Sequence, residues 1–257
     1  MKRLFGSLFV ITLLVAASAA QKPDSSKTPD AKPVASPSVT LPSAKDVLDK
    51  YVKAIGGREA LLKHKSRYQT GSVELTPMGV KGTMELISVS DGRSFTKVAL
   101  EGVGDLLDGF DGTTAWTSNP VQGSRVKEGK ELIQSKRLSV FGREVKIDSM
   151  YSPIVVRGIE KVGDRDTYVV VCSTEGLPDD ILYFDTETGL MLRSDGIVLA
   201  PEGQQAFTTF YEDYRDVDGI KSAFRTRAKA PAFEINTVLS EIKYDVTIDD
   251  AKFKRPN

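Results

Sequence analysis

Cysteine and histidine are almost missing from this 257-residue sequence: each occurs once, at Cys172 and His64. A single thiol closes no intrachain disulfide, so whatever folds here must be held by an ordinary hydrophobic core. With one imidazole, Ser-His-Asp and Cys-His catalysis have only His64 as a base. No H-x-x-x-H, no C-x-x-C and no Asp-rich loop of calcium-binding spacing can be found, which excludes the usual zinc and regulated calcium sites. Charge of one sign is lacking too. Lys and Arg number 35 against 35 Asp and Glu, a formal net charge of +0 that gives no electrostatic case for nucleic acid. No apolar run reaches the roughly 20 residues a membrane-spanning helix needs.

The apolar run that does exist lies at the start. Lys2 and Arg3 precede Leu4 to Ala17, and Ala17-Ser18-Ala19 follows as an A-x-A cleavage pattern, so residues 1–20 read as a secretory signal peptide. Cleavage leaves a mature chain from Ala20 or Gln21 without a transmembrane segment, bound for the periplasm or secreted. Losing Lys2 and Arg3 leaves 33 basic residues against 35 acidic, a net charge of −2. Cys172 lies far from the cleavage site, so no thiol is offered for lipid attachment there. Residues 21–42, with Pro23, Pro29, Pro33, Pro37 and Pro42 among Lys, Ser, Thr and Ala, read as a disordered linker, either a tether across the envelope or passive low complexity. Residues 43–257 read as the folded domain.

Ser43 with Asp46 three residues on is a helix N-cap, and Val47, Leu48, Tyr51, Val52 and Ile55 follow at helical spacing until Gly56-Gly57. A second short helix is predicted from Arg58 to His64. The segments 70–76, 82–89, 94–100, 113–117, 154–161, 167–173, 181–185, 190–194, 205–214, 220–229 and 234–245 are β-branched or aromatic and largely alternating. Asp91-Gly92, Asp111-Gly112, Gly163-Asp164 and Asp218-Gly219 suit tight connections between them. No helices alternate with these strands, which predicts an antiparallel meander. One helix is predicted inside it, over 128–141, placed to cover an open side of a sheet.

Candidates for chemistry are weak. His64 in "LLKHKSR" reads as an exposed residue at a helix end, and Cys172 in "YVVVCST" as a small core residue of a strand. Asp179-Asp180, Glu212-Asp213 and Asp249-Asp250 are neighbours that point to opposite faces of an extended chain, so they read as solvated turn or edge positions. "GVGDLLDG" from Gly102 has glycines but no Gly-Lys-Ser/Thr of a phosphate loop. In "LYFDTETGLMLR" (Leu182 to Arg193), Asp185 and Glu187 have no evident partner elsewhere and read as the turn of a hairpin, with Gly189 supplying a positive φ. No catalytic set, metal site or cofactor is expected.

Large apolar side chains are plentiful by contrast. Leu86, Phe95, Leu107, Phe110 and Trp116 in the first half of the chain, and Tyr183, Phe207, Phe210 and Phe224 in the second, exceed what a flat sheet with few helices can hide. Leu132, Leu138 and Phe141 add to them from the inserted helix. Either the sheet curls and fills its interior, or it curls around a cavity for an apolar ligand that these residues line.

Five stretches carry a resemblance to a known family: "LDKYVKAIGGREALLKHKS" from Leu48, "GFDGTTAW" from Gly109, "LYFDTETGLMLRSD" from Leu182, "YEDYRDVDGIKSAFRTR" from Tyr211 and "IKYDVTIDDAKFKRP" from Ile242. In this order they resemble the LolA/LolB-like superfamily of outer-membrane lipoprotein-sorting proteins, over nearly all of 43–256. The resemblance implies a mainly β (α+β) fold, a curved antiparallel sheet forming an incomplete barrel closed by N-terminal and inserted helices. It also implies an apolar cavity for acyl chains of a lipid or lipoprotein, and a non-enzymatic carrier or binder. An envelope sensor or protein-interaction module with a filled interior is the other function this fold implies.

Overall fold

Ser43 caps the first helix as its sequence predicts: its Oγ accepts from the Asp46 amide at 3.1 Å and donates to the Asp46 carboxylate at 2.6 Å. The computed structural model describes residues 40–201 and 203–256, so the expected signal peptide and residues 21–39 of the expected linker lie outside the described residues. Helix α1 (Ala44–Ala54) buries Val47, Leu48 and Tyr51 on one side, and α2 (Arg58–Leu62) follows after Gly57. Helix α2 stops two residues short of His64. That residue therefore falls in the connection to the sheet and packs there, instead of lying exposed at a helix end.

Six strands come next: β1 (Ser66–Thr76), β2 (Val80–Val89), β3 (Ser94–Leu100), β4 (Gly104–Phe110), β5 (Ala115–Asn119) and β6 (Gly123–Val126). Helix α3 (Gly129–Leu138), a 3-10 turn (Arg143–Val145) and α4 (Ile147–Met150) interrupt them. Seven more strands complete the sheet: β7 (Ile154–Val162), β8 (Arg165–Cys172), β9 (Asp180–Asp185), β10 (Met191–Ala200), β11 (Gly203–Val217), β12 (Ile220–Lys229) and β13 (Glu234–Tyr244). A 3-10 turn (Asp250–Phe253) follows. Strands β4 and β6 go beyond what the sequence predicts. Strand β4 is most of the glycine-rich "GVGDLLDG", whose intrinsic β-propensity is poor; it is a strand because β3 and β5 pair with it on both sides.

Among the described residues these thirteen strands form one antiparallel sheet in the order β6-β5-β4-β3-β2-β1-β13-β12-β11-β10-β9-β8-β7. It is two meanders joined where the first strand pairs with the last, and it does not close: the edges are β6 and β7. Helix α3 packs against both β5 and β10, second and tenth in the order. Only a strongly curved sheet brings such distant strands to one helix. The result is a half-barrel with α3 across its mouth.

Register assigns the two faces, because directly paired antiparallel residues share a face and neighbours along a strand alternate. Arg67, Ser88 and Ser94 form one row, and Ser94 Oγ meets Ser139 Oγ at 2.7 Å just beyond α3. This face is concave and carries the helices. Its core joins Tyr51, Ile55 and Val145 to Val170, Leu182 and Phe184. Cys172 lies in this core, as its sequence context predicts, and burial followed by the Asp180 charge pushes its thiol up to about 12. The convex face carries a second cluster, in which Ile87, Phe95 and Trp116 pack under Phe253 of the C-terminal turn.

Candidate functional site

Alternation along the strands divides the apolar residues that the sequence singles out. Leu86, Phe110 and Phe207 project from the concave face, by their register with Gln69, Ser94 and Gly196. Phe95, Leu107, Trp116, Tyr183 and Phe210 project from the convex face. Phe224 is buried beneath the Arg215 guanidinium, 4.7 Å from its ring centre. Around α3, Leu132 is half-buried, Phe141 is buried and Leu138 is 51% exposed. The structure therefore does not gather the twelve candidates into one site.

On the convex face four of the large rings have a polar or cationic partner. Trp116 Nε1 donates to the Phe253 carbonyl at 2.8 Å, and Lys252 stands 5.8 Å from the Phe95 ring centre. Arg193 lies over Tyr183 at 4.4 Å and Arg227 over Phe210 at 5.0 Å. Cations laid on aromatic faces gain electrostatically and hide the rings from water. Two hollows of about 360 and 550 Å³ on this face are lined mainly by polar side chains, among them Thr70, Thr83, Glu85 and Lys97 in the first and Glu74, Lys81 and Asn236 in the second.

The concave face differs. Leu239, Gly71, Met84, Val98 and Leu106 pair in succession across β13, β1, β2, β3 and β4, and every one is only half-buried. A parallel row of Ile235, Leu75 and Val80 continues it, also half-buried. This is an aliphatic strip, partly open, inside the curve of the sheet. Sequence reasoning favoured the large rings and passed over these smaller residues; the period-2 alternation in 80–89 and 94–100 was the available signal.

Three polar clusters fasten the helices to the sheet. His64 is 7% exposed, its Nδ1 lies 2.6 Å from the Asp245 carboxylate and its ring stacks on Tyr244 at 4.2 Å. The Lys65 amide and then His64 hold the Asp245 carboxyl below its ordinary range. Arg67 donates to Glu144 at 2.8 Å; burial pushes the Glu144 carboxyl up, but the Arg67 and Arg143 cations outweigh it and the group ends low. Arg137 at the end of α3 pairs with Asp180 at 2.9 Å, and Tyr151 Oη donates to the same carboxylate at 2.6 Å.

Asp180 is therefore not the solvated position its sequence suggests. Glu212 also has a partner, accepting from Arg227 at 2.9 Å. In the same way Asp185 and Glu187 do find one: Arg165 donates to Asp185 at 2.7 and 3.0 Å and to Glu187 at 2.8 Å. Asp185 also accepts from the amides of Glu187 and Thr188, both at 2.8 Å, and Gly189 has φ 77°. The knot is a turn, but one tied to the preceding hairpin through Arg165. Among the described residues no group of three His, Cys, Asp or Glu side chains is placed to hold a metal ion, and no helix is long and apolar enough to cross a membrane.

An open, curved antiparallel sheet with helices laid into its concavity defines the class: the fold is LolA-like. No family model matches the chain and no curated protein matches it. Among solved structures it is similar to a DUF1329 family protein from Desulfovibrio piger, at 17% identity over 82% of this chain and 96% of that one, with a TM-score of 0.54. It is also similar to a LolA superfamily protein from Nitrosomonas europaea, at 14% identity over 83% and 98% of the two chains, again with a TM-score of 0.54. At these identities the likeness is one of fold.

Proposed function

We propose that the protein is a non-enzymatic binder or carrier of an acyl-bearing ligand, a lipid or a lipoprotein, exported to the periplasm after cleavage behind Ala19 or Ala20. The observation that carries the reading is the aliphatic strip from Leu239 to Leu106. It is half-exposed on the concave face while the convex rings are capped by cations. Burying a chain methylene is worth about 0.8 kcal/mol, so roughly ten buried methylenes reach the about 8 kcal/mol of micromolar binding. The helices beside the strip can shield such a chain from water.

Titrating the mature protein with a fluorescent acyl probe tests this directly. Met84→Lys and Val98→Glu, which place charge in the strip, are expected to weaken binding at least tenfold, on the order of 1.4 kcal/mol or more. Thr83→Lys, one residue along but on the convex face, is expected to leave affinity unchanged. A well-folded protein that binds no acyl probe overturns the reading.

One observation favours interaction with a protein. Strand β7 is a free sheet edge carrying Val155 and Ile159 at 53% and 41% exposure, which suits addition of a partner's strand. A stoichiometric protein partner that is lost in Val155→Lys, on a protein free of bound lipid, supports that reading over the first.

A further inference from the structure

The concave face is aliphatic at one level and polar at another. Tyr244, Arg67, Ser88 and Ser94 pair in succession across β13, β1, β2 and β3, four residues along β1 from the row of Leu239, Met84 and Val98. Glu144, from the turn after α3, faces the polar row and is bonded to Arg67. His64 stacks on Tyr244 beside it. Four buried atoms in this group have no hydrogen-bond partner: His64 Nε2, Arg67 Nε, Ser88 Oγ and Glu144 Oε2, while Tyr244 Oη stands beside Arg67 and Ser222. Buried polar atoms are ordinarily satisfied, and leaving several unsatisfied together is costly.

What would satisfy them is defined by their chemistry. Arg67 Nε only donates and Glu144 Oε2 only accepts. Asp245 is an acceptor, so His64 Nδ1 carries a proton toward it. Ser88 can do either. Charges also balance within the row: the Arg67 cation stands against the Glu144 anion. A carboxylate or phosphate would satisfy Arg67 but would meet the Glu144 charge and offer nothing to its unpaired oxygen. A neutral group that both donates and accepts answers all of them.

We infer that this row is a subsite for the neutral, hydroxyl- or amide-bearing polar end of an amphiphile whose chain lies along the aliphatic strip. The inference rests on the acyl-binding reading and adds the chemistry of the ligand's head. The face then matches an amphiphile along its length, polar beneath the helices and apolar beyond them.

Displacement of a bound fluorescent acyl probe from the mature chain by 1-monooleoylglycerol, oleamide and oleate, used below their aggregation limits, separates the possibilities. The chain is the same in all three. The glycerol ester and the amide are expected to displace the probe at concentrations at least tenfold lower than oleate, and the order of the first two tells hydroxyl from amide. Glu144→Gln, which keeps the shape and removes the charge, is expected to narrow the gap by strengthening oleate. Ser88→Ala, a smaller change for folding, is expected to weaken the glycerol ester severalfold. Equal affinity for all three in the wild type, or a gap that neither folded variant alters, overturns the subsite while the acyl reading stands. Failure of the probe itself to bind overturns both.

Discussion

Replacing Gly56 with alanine is expected to destabilise the domain by about 3–5 kcal/mol, the combined scale of backbone strain and overpacking. Gly56 has φ 110°, a conformation that side chains resist, and a Cβ built there stands 2.0 Å from the Gly219 carbonyl oxygen. Neither partner can yield easily, because the contact is backbone to backbone. It is also the place where α1 docks: the Lys221 amide donates to the Ile55 carbonyl at 3.0 Å, and Ile55 and Ile220 are buried in the same core. Relieving the clash means lifting the helix from the β11–β12 turn. Gly57 provides the control, since its φ is 93° but nothing lies within 4 Å of its Cβ position. Gly57→Ala is expected to cost only the strain, about 1 kcal/mol. Thermal melts of both variants check the difference; equal losses would show that docking at Gly219 does not matter.

Removing the buried Asp185 carboxylate is expected to cost about 2–4 kcal/mol near neutral pH, because the amides of Glu187 and Thr188 and the Arg165 guanidinium lose the acceptor they share. Asp185 is 2% exposed, and Arg165 beside it, with the two amides, holds its carboxyl far below the ordinary carboxylate range. A carboxyl lowered in the folded state stabilises the fold above its unfolded pKa of about 3.9 and loses that contribution as pH falls below it. The melting-temperature gap between the wild type and Asp185→Ala is therefore expected to be widest near pH 7 and to narrow progressively below about pH 4. Glu187→Gln should scarcely move the melting temperature, since the Glu187 side chain is 75% exposed and its bond to Arg165 is an exposed one. A gap independent of pH would show that Asp185 acts by packing alone.

Much of the fold is legible in residue order because it depends on local physics. Ser43 and Asp46 mark a helix start through a hydrogen bond three residues long, and Gly189 marks a turn through its φ. The alternation in 94–100 predicts the full length of β3. Strand β4 is illegible for the complementary reason: its glycines and aspartates disfavour a strand, and only its neighbours on both sides make one. His64 fails similarly. Its sequence neighbours are lysines, while its structural neighbours, Tyr244 and Asp245, are 180 and 181 positions away.

The candidate site divides along the same line. Composition and apolar content call for a curved sheet that hides many large side chains, and the single histidine and single cysteine leave little for catalysis, whatever the fold. Those conclusions are sums over residues, and sums survive ignorance of who touches whom. Which face each residue occupies is not a sum. A one-residue change of register moves a side chain from the concave to the convex side. Thus the tertiary structure alone decides that Phe95, Trp116, Tyr183 and Phe210 are capped on the convex side, while Met84, Val98 and Leu106 line the interior. It alone brings Arg67, Ser88, Glu144 and Tyr244 into one polar group beneath the helices, because pairing the first strand with the last is a contact between the ends of the chain that no local pattern encodes.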